Sequence, residues 1–371
     1  MKKCIITLLF SGTVFMTYSQ STVIPDSNFE QALIDLNIDS DGLNSSILNS
    51  DALQVTTTLN VSYKNISDLT GIEAFENIET LNCRGNNLSS LNLTSNLVIK
   101  NVEAQYNQIN QLNISGLQLI ELLHVQENQL SNLDVSNLSN LFWLDCNGNN
   151  LTNLDLTNNS ELLHLYCSSN LFTGVFDISN QDLLQNFTIA SNQITAFNFV
   201  HNSPIRNIDC RWNNITNLDL STLWNLKRLY ASNNNLSTLN VANGANVQII
   251  DFQVTENPNL FCINVDDPTY SSASINWFED PQSNYSNSCA WLSIDEKAPR
   301  LFDIYPNPAI EFIKISLNDS QVDFGELISL NGKLIKRFKL ENSNFQLNLT
   351  DVESGIYFIR IANVQSKLVK Y

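Results

Sequence analysis

The sequence predicts a mainly β chain: a solenoid of about nine 21-residue coils with a helical N-terminal cap, followed by a small antiparallel β-sandwich. Three observations carry this. Eight asparagines, Asn86, Asn107, Asn128, Asn149, Asn170, Asn192, Asn213 and Asn234, recur every 21 residues, with one interval of 22. Apolar residues keep fixed offsets around them, as in Leu144-x-Cys146-x-x-Asn149-x-Leu151-x-x-Leu154-x-Leu156. From residue 298 onward the period vanishes and short segments of alternating polarity replace it. A unit this short cannot bury its own apolar face, so the units must stack and share one core.

In chain order, Lys2 and Lys3, an apolar run over 5–16 and small or polar residues before Gln20 read as an export signal over residues 1–19. Cys4 precedes the apolar run, which argues against lipoprotein processing. No other segment is long enough to be a transmembrane helix. Residues 20–54 read as the N-terminal cap. There Ser27-x-x-Glu30 has capping-box spacing, and Phe29, Leu33 and Leu36 make one apolar helix face. Asp39-Ser40-Asp41-Gly42 hints at a calcium loop, but without the remaining ligands and distal glutamate of an EF-hand it reads as a turn.

The array occupies residues 55–261. Each repeating asparagine sits where a strand ends and backbone groups are left without ladder partners, so its carboxamide is expected to form a buried ladder between coils. This text resembles the leucine-rich repeat family, matching L-x-x-L-x-L/C-x-x-N-x-L from about Leu59 to Leu260. The resemblance implies a short parallel strand per coil on the concave side and irregular or 3₁₀ backbone on the convex side. After Phe172 the pattern slips by one residue, which predicts a bulge. After Phe252 two extra residues are expected before Asn257, where the array stops. Residues 262–299 then form a C-terminal cap and linker.

Cys83, Cys146, Cys167 and Cys210 fall in an inward column filled elsewhere by Ala104, Val125, Ile189, Ala231 and Phe252, and read as inert buried thiols. Cys262 and Cys289 lie beyond the array with Trp277 and Trp291. An exported chain can cross-link them, for roughly 3 kcal/mol on the chain-entropy model.

Residues 300–371 alternate as strands over 312–317, 327–330, 334–340, 345–349 and 356–361, with Asn331-Gly332 as a tight turn. Tyr305-Pro306-Asn307-Pro308-Ala309 at the start, Asn331-Gly332-Lys333 in the middle, Gly355-Ile356-Tyr357 and the basic end Lys367-Leu368-Val369-Lys370-Tyr371 resemble the C-terminal sorting domain of the type IX secretion system. That resemblance implies recognition by the export machinery and a secreted or surface-attached product.

Charge and motifs narrow the function. Residues 21–299 hold 8 Lys and Arg against 29 Asp and Glu, while residues 300–371 hold 9 against 8. Such an acidic array disfavours nucleic acid and anionic lipid as partners. No catalytic motif, cofactor loop or metal-ligand spacing stands out, so no cofactor and no metal are expected. Strand alternation instead predicts a concave-face patch of Leu122, His124, Trp143, Asp145, His164 and Tyr166, suited to an extracellular protein or a glycan. A second, cationic patch gathers Arg206, Arg211, Trp212, Arg228 and Tyr230. The function expected is non-catalytic binding of a protein partner. Glycan binding is the alternative and polysaccharide hydrolysis a third reading.

Overall fold

The computed structural model describes residues 20–289, 302–317, 324–329, 333–340, 344–361 and 364–371. The export signal, Trp291 and the Asn331-Gly332 turn lie outside the described residues. The chain forms two compact units, residues 1–289 and 290–371.

In the first unit, one three-residue strand per coil builds a parallel sheet of 11 strands, from Thr58–Asn60 to Trp277–Phe278. The expected nine coils become eleven because coil geometry outlasts the repeat text at both ends. In the first coil Lys64 stands at the asparagine position, and its backbone N–H is still taken by Asn86 Oδ1 at 3.0 Å. In the last, Trp277 replaces the central leucine and stacks on Phe252 with ring centroids 4.3 Å apart. The array therefore does not stop at Asn257.

Each ladder asparagine satisfies at least three backbone groups, as Asn149 illustrates. Its Nδ2 donates to the Val125 carbonyl of the preceding coil at 3.0 Å and to Cys146 of its own coil at 3.1 Å. Its Oδ1 accepts the Leu130 N–H at 2.9 Å. The same pattern recurs from Asn86 to Asn234, all buried except the half-buried Asn107, and extends to Asn257. A second set of buried amides was not foreseen: Asn96 and Asn159 each donate to two carbonyls of the preceding coil, and Gln181 donates to Leu156.

The return side of the coils is less irregular than the family resemblance implies. It has two 3₁₀ turns, Ile72–Ala74 and Asn246–Gln248, but also three parallel sheets. One of these joins Asn217–Asp219, Thr238–Asn240, Cys262–Asn264 and Asn284–Ser286. The Leu-x-Leu text supplies the period of two that strands need, burying Leu218, Leu239 and Ile263. The predicted bulge is present as a register shift between Gly174 and Val175 against Gln193–Phe199. The second irregularity is placed differently from expectation. Phe252 pairs with Leu229, so the extra residues precede Phe252, in the loop holding Asn246–Gln248, and Val254 rather than Phe252 fills the thiol column. Cys83, Cys146, Cys167 and Cys210 are all buried, and Cys262 is disulfide-bonded to Cys289.

At the N-terminal end the helix Ser27–Asp35 is capped by Asp26, not by Ser27. Asp26 Oδ1 accepts from Asn28 N and Phe29 N, while its Oδ2 accepts from Ser67 and Asp68 in the first coil. Glu30 does not close a capping box. Buried, it accepts the backbone N–H groups of Asn44 and Ser46. Phe29 and Leu33 are buried as expected, but Leu36 is exposed because it already ends the helix. Burial and the neighbouring Asp41 push the Asp39 pKa up to about 6.

The second unit packs two antiparallel sheets over a core that includes Ile313, Ile315, Leu327, Leu347, Ile359 and Leu368. One sheet orders Phe302–Tyr305, Phe312–Leu317 and Asn344–Asn348. The other orders Leu334–Lys339, Phe324–Ser329, Gly355–Ile361 and Val364–Lys370. Two strands, the first and the last, add to the five expected. Asn307 fastens the last strand, donating to the Lys367 carbonyl at 2.7 Å and accepting from Val369 N at 2.9 Å. Tyr357 Oη donates to the Glu353 carbonyl at 2.9 Å.

Candidate functional site

Strand register brings the six predicted patch residues together. Leu122, Trp143 and His164 are successive neighbours in one column of the concave sheet, and His124, Asp145 and Tyr166 in the other. In every one of these strands the central leucine is fully buried and its two flanking residues are half-buried on the opposite face. Trp143 is the hub. Its ring lies 5.4 Å from His124, 4.5 Å from His164 and 6.1 Å from Tyr166.

The patch contains polar atoms that the fold leaves open. Trp143 Nε1 and His124 Nε2 are shielded from water yet have no hydrogen-bond partner among the described residues. Burial lowers the pKa of both His124 and His164, favouring neutral rings. The Asn186 carboxamide meets His164 Nδ1 at 2.7 Å, and as its Nδ2 can only donate, the His164 proton belongs on Nε2. Asp145 accepts the Asn147 N–H at 3.1 Å, but burial, reinforced by Glu127, pushes its pKa up to about 6. Burial and Asp145 raise that of Tyr166.

The second patch is assembled too, but it is not simply cationic. Arg211 grips Asp209 through Nε and Nη2 at 2.9 and 2.6 Å, with its guanidinium 5.0 Å from the Tyr230 ring. Tyr230 Oη donates to Asp251 at 2.6 Å, and Arg228 donates to Asn207 at 3.2 Å. Carboxylates thus alternate with the arginines, while Arg206 and Trp212 stay exposed. Asn207 also donates to Asn186, so a polar chain of Arg228, Asn207, Asn186 and His164 joins the two patches along one column. Neither Asn186 nor Asn207 was among the residues that the sequence assigned to either patch.

A third feature was missed. The Arg84 guanidinium lies 5.6 Å from the Tyr63 ring and 5.0 Å from Tyr106. Tyr63 covers Gly85 so closely that a Cβ there would meet the ring at 2.3 Å. The signal lay in the residue before each ladder position, which has positive φ in coil after coil, including Tyr63, Gly85, Tyr106 and Trp212.

Asp145 and Asp209, the carboxylates nearest to a glycosidase pair, are three strands apart, about 14 Å at the usual strand spacing. Glycosidase carboxylates stand within about 10 Å. Among the described residues no group of three or more His, Cys, Asp or Glu is placed to hold a metal ion, and no helix is long and apolar enough to cross a membrane.

Comparison with known proteins bears on both units. Residues 303–371 match the family of secretion system C-terminal sorting domains. The ulvan lyase NLR42 of Nonlabens ulvanivorans is 26% identical over 90 residues, which is 24% of this chain and only 17% of the lyase. Among solved structures, the internalin InlF of Listeria monocytogenes is 18% identical over 71% of this chain and 77% of its own, with a TM-score of 0.54. The functional domain of InlJ from the same organism is 22% identical over 72% of this chain and 70% of its own, with a TM-score of 0.41. The InlF likeness concerns the fold, and it is the fold that the asparagine ladder builds. The array has the leucine-rich repeat fold, and residues 303–371 carry the match to the type IX secretion sorting domain.

Proposed function

We propose that this chain is an exported, non-catalytic interaction protein that binds a protein partner through its concave face, at the patch centred on Trp143. The observation that carries the reading is the half-buried ring cluster of His124, Trp143, His164 and Tyr166 with two polar atoms, Trp143 Nε1 and His124 Nε2, left without partners among the described residues. Aromatic anchors flanked by polar groups dominate protein interfaces, and an unmet buried donor gains most when a ligand acceptor reaches it. The sorting domain directs the chain to secretion or the cell surface, where such a partner would be met.

Glycan binding at the same rings is the alternative, because a sugar face stacks on Trp143 as readily as a peptide does. Polysaccharide cleavage is a third reading, disfavoured by the wide spacing of Asp145 and Asp209. The test is affinity capture from host and neighbouring-cell extracts, run beside a glycan array, with wild type and a Trp143→Ala/Tyr166→Ala double variant. Wild type is expected to retain a protein that the folded double variant loses. Capture unaffected by the double substitution would move the site to the Arg211 and Trp212 region, and glycan-array binding lost in the variant would favour the alternative.

A further inference from the structure

The turn at residues 39–42 of the N-terminal cap holds an oxygen that the turn does not explain. Asp39 is only 6% exposed, and its Oδ1 accepts the backbone N–H groups of Asp41 and Gly42 at 3.2 and 3.3 Å. Those two bonds account for one carboxylate oxygen, as in any Asx-type turn. Oδ2 is shielded from water and has no hydrogen-bond partner among the described residues. A buried carboxylate oxygen without a donor is unfavourable unless a cation or a proton reaches it.

No protein group supplies the positive charge. Among the described residues neither Asp39 nor Asp41 is ion-paired, and Lys64 of the first coil is bound to Asp35 of the cap at 3.0 Å. The other acidic groups nearby are engaged: Asp51 accepts from the Ser40 hydroxyl and N–H, and Glu30 accepts from Asn44 and Ser46. The spacing Asn37-x-Asp39-x-Asp41-Gly42 places oxygen-bearing side chains at alternate positions, then a glycine at φ +79°. That is the first half of an EF-hand loop, in which such spacing wraps a hard cation. The distal glutamate is absent, with Leu48 at its position.

We propose that this cap loop is a calcium site, with Asp39 Oδ2 and the Asp41 carboxylate as its charged ligands and neutral oxygens, from Asn37 and the loop carbonyls, completing the shell. Calcium fits better than magnesium, because it accepts an irregular set of oxygens and does not demand an octahedron. With only two carboxylates the site belongs to the weak class of extracellular modules, with a Kd on the order of 10⁻⁴ to 10⁻³ M. Its effect is on the cap: the loop that calcium would close is tied through Ser40 to Asp51, in the short helix Asn49–Ala52.

The test is thermal unfolding of the full chain, stripped with chelator, at constant ionic strength with about 10 mM calcium, about 10 mM magnesium or neither. Calcium is expected to raise the midpoint by roughly 2 °C or more, and magnesium by much less. Asp39→Asn and Asp41→Asn are expected to abolish the calcium shift. Asp41 is exposed, so its variant carries the test should the buried substitution fail to fold. The proposal is overturned by no shift in wild type, by an equal shift with magnesium, which would mean charge screening on an acidic array, or by a shift that survives Asp41→Asn.

Discussion

At the ladder position one carboxamide serves three backbone groups, two carbonyls and one N–H, that water cannot reach. Asn149→Ala strands all three in mid-array and is expected to cost about 1–3 kcal/mol in denaturant unfolding. Asn107→Ala, at a half-buried rung, should cost less, and equal costs would tell against burial as the cause. Asp145 makes the opposite prediction. Its folded pKa, about 6, lies above the 3.8 usual for an aspartate, so the folded state holds the proton more tightly and stability falls as pH rises through that window. Asp145→Asn should therefore stabilise the protein at pH 7.5 by on the order of 1 kcal/mol, a figure reduced for partial exposure, and the gain should vanish near pH 4. A gain independent of pH would point to packing instead. Which residues share the Trp143 patch was legible in the sequence, because strand alternation and a fixed period set both column and neighbour. Which nitrogens lack partners was not, since that depends on ring rotation. The second amide set was hidden for another reason: Leu117 and Leu138 occupy the column that Asn96 and Asn159 use, so no constant letter marked it.

Elements were legible wherever the text repeats and obscure where a different residue does the same job. The last concave strand was invisible because Trp277 takes a leucine's place after a longer excursion through the helix Pro268–Ala273. The front helix was seen, but its cap was misread by one residue, since Asp26 and Ser27 are both good capping side chains and only the bonds decide. The thiols follow from the packing of these elements. Burial pushes the Cys83 thiol up to about 12 and raises those of Cys146, Cys167 and Cys210. Under native conditions all four should resist alkylation, and all four should label after denaturation. Cys262 and Cys289 should appear as a disulfide in protein exported by its own host. Native labelling of the four would show that the coils open, and free thiols at the other two would remove the covalent tie at the rear of the array.

At the scale of the whole molecule, the two units differ in charge, period and core. Among the described residues, the apolar core of the array runs from Ile24 to Trp277 and that of the tail from Phe302 to Leu368. The tail's landmarks were legible as a resemblance, whereas its first and last strands were not. The last one, Val364–Lys370, was read as a basic end, although Asn307 of the YPNP segment binds its backbone directly. Separate cores make a strong prediction about export. Deleting residues 300–371 should leave an array that unfolds at nearly the wild-type midpoint, because no described residue of its core is lost. Cells with type IX machinery should then retain the truncated chain in the periplasm. Conversely, residues 300–371 fused behind a signal peptide and an unrelated reporter should carry that reporter outside. Surface delivery of the truncated chain at the wild-type level would show that the tail is not the export address. Loss of the fold on truncation would show that the array depends on the tail after all.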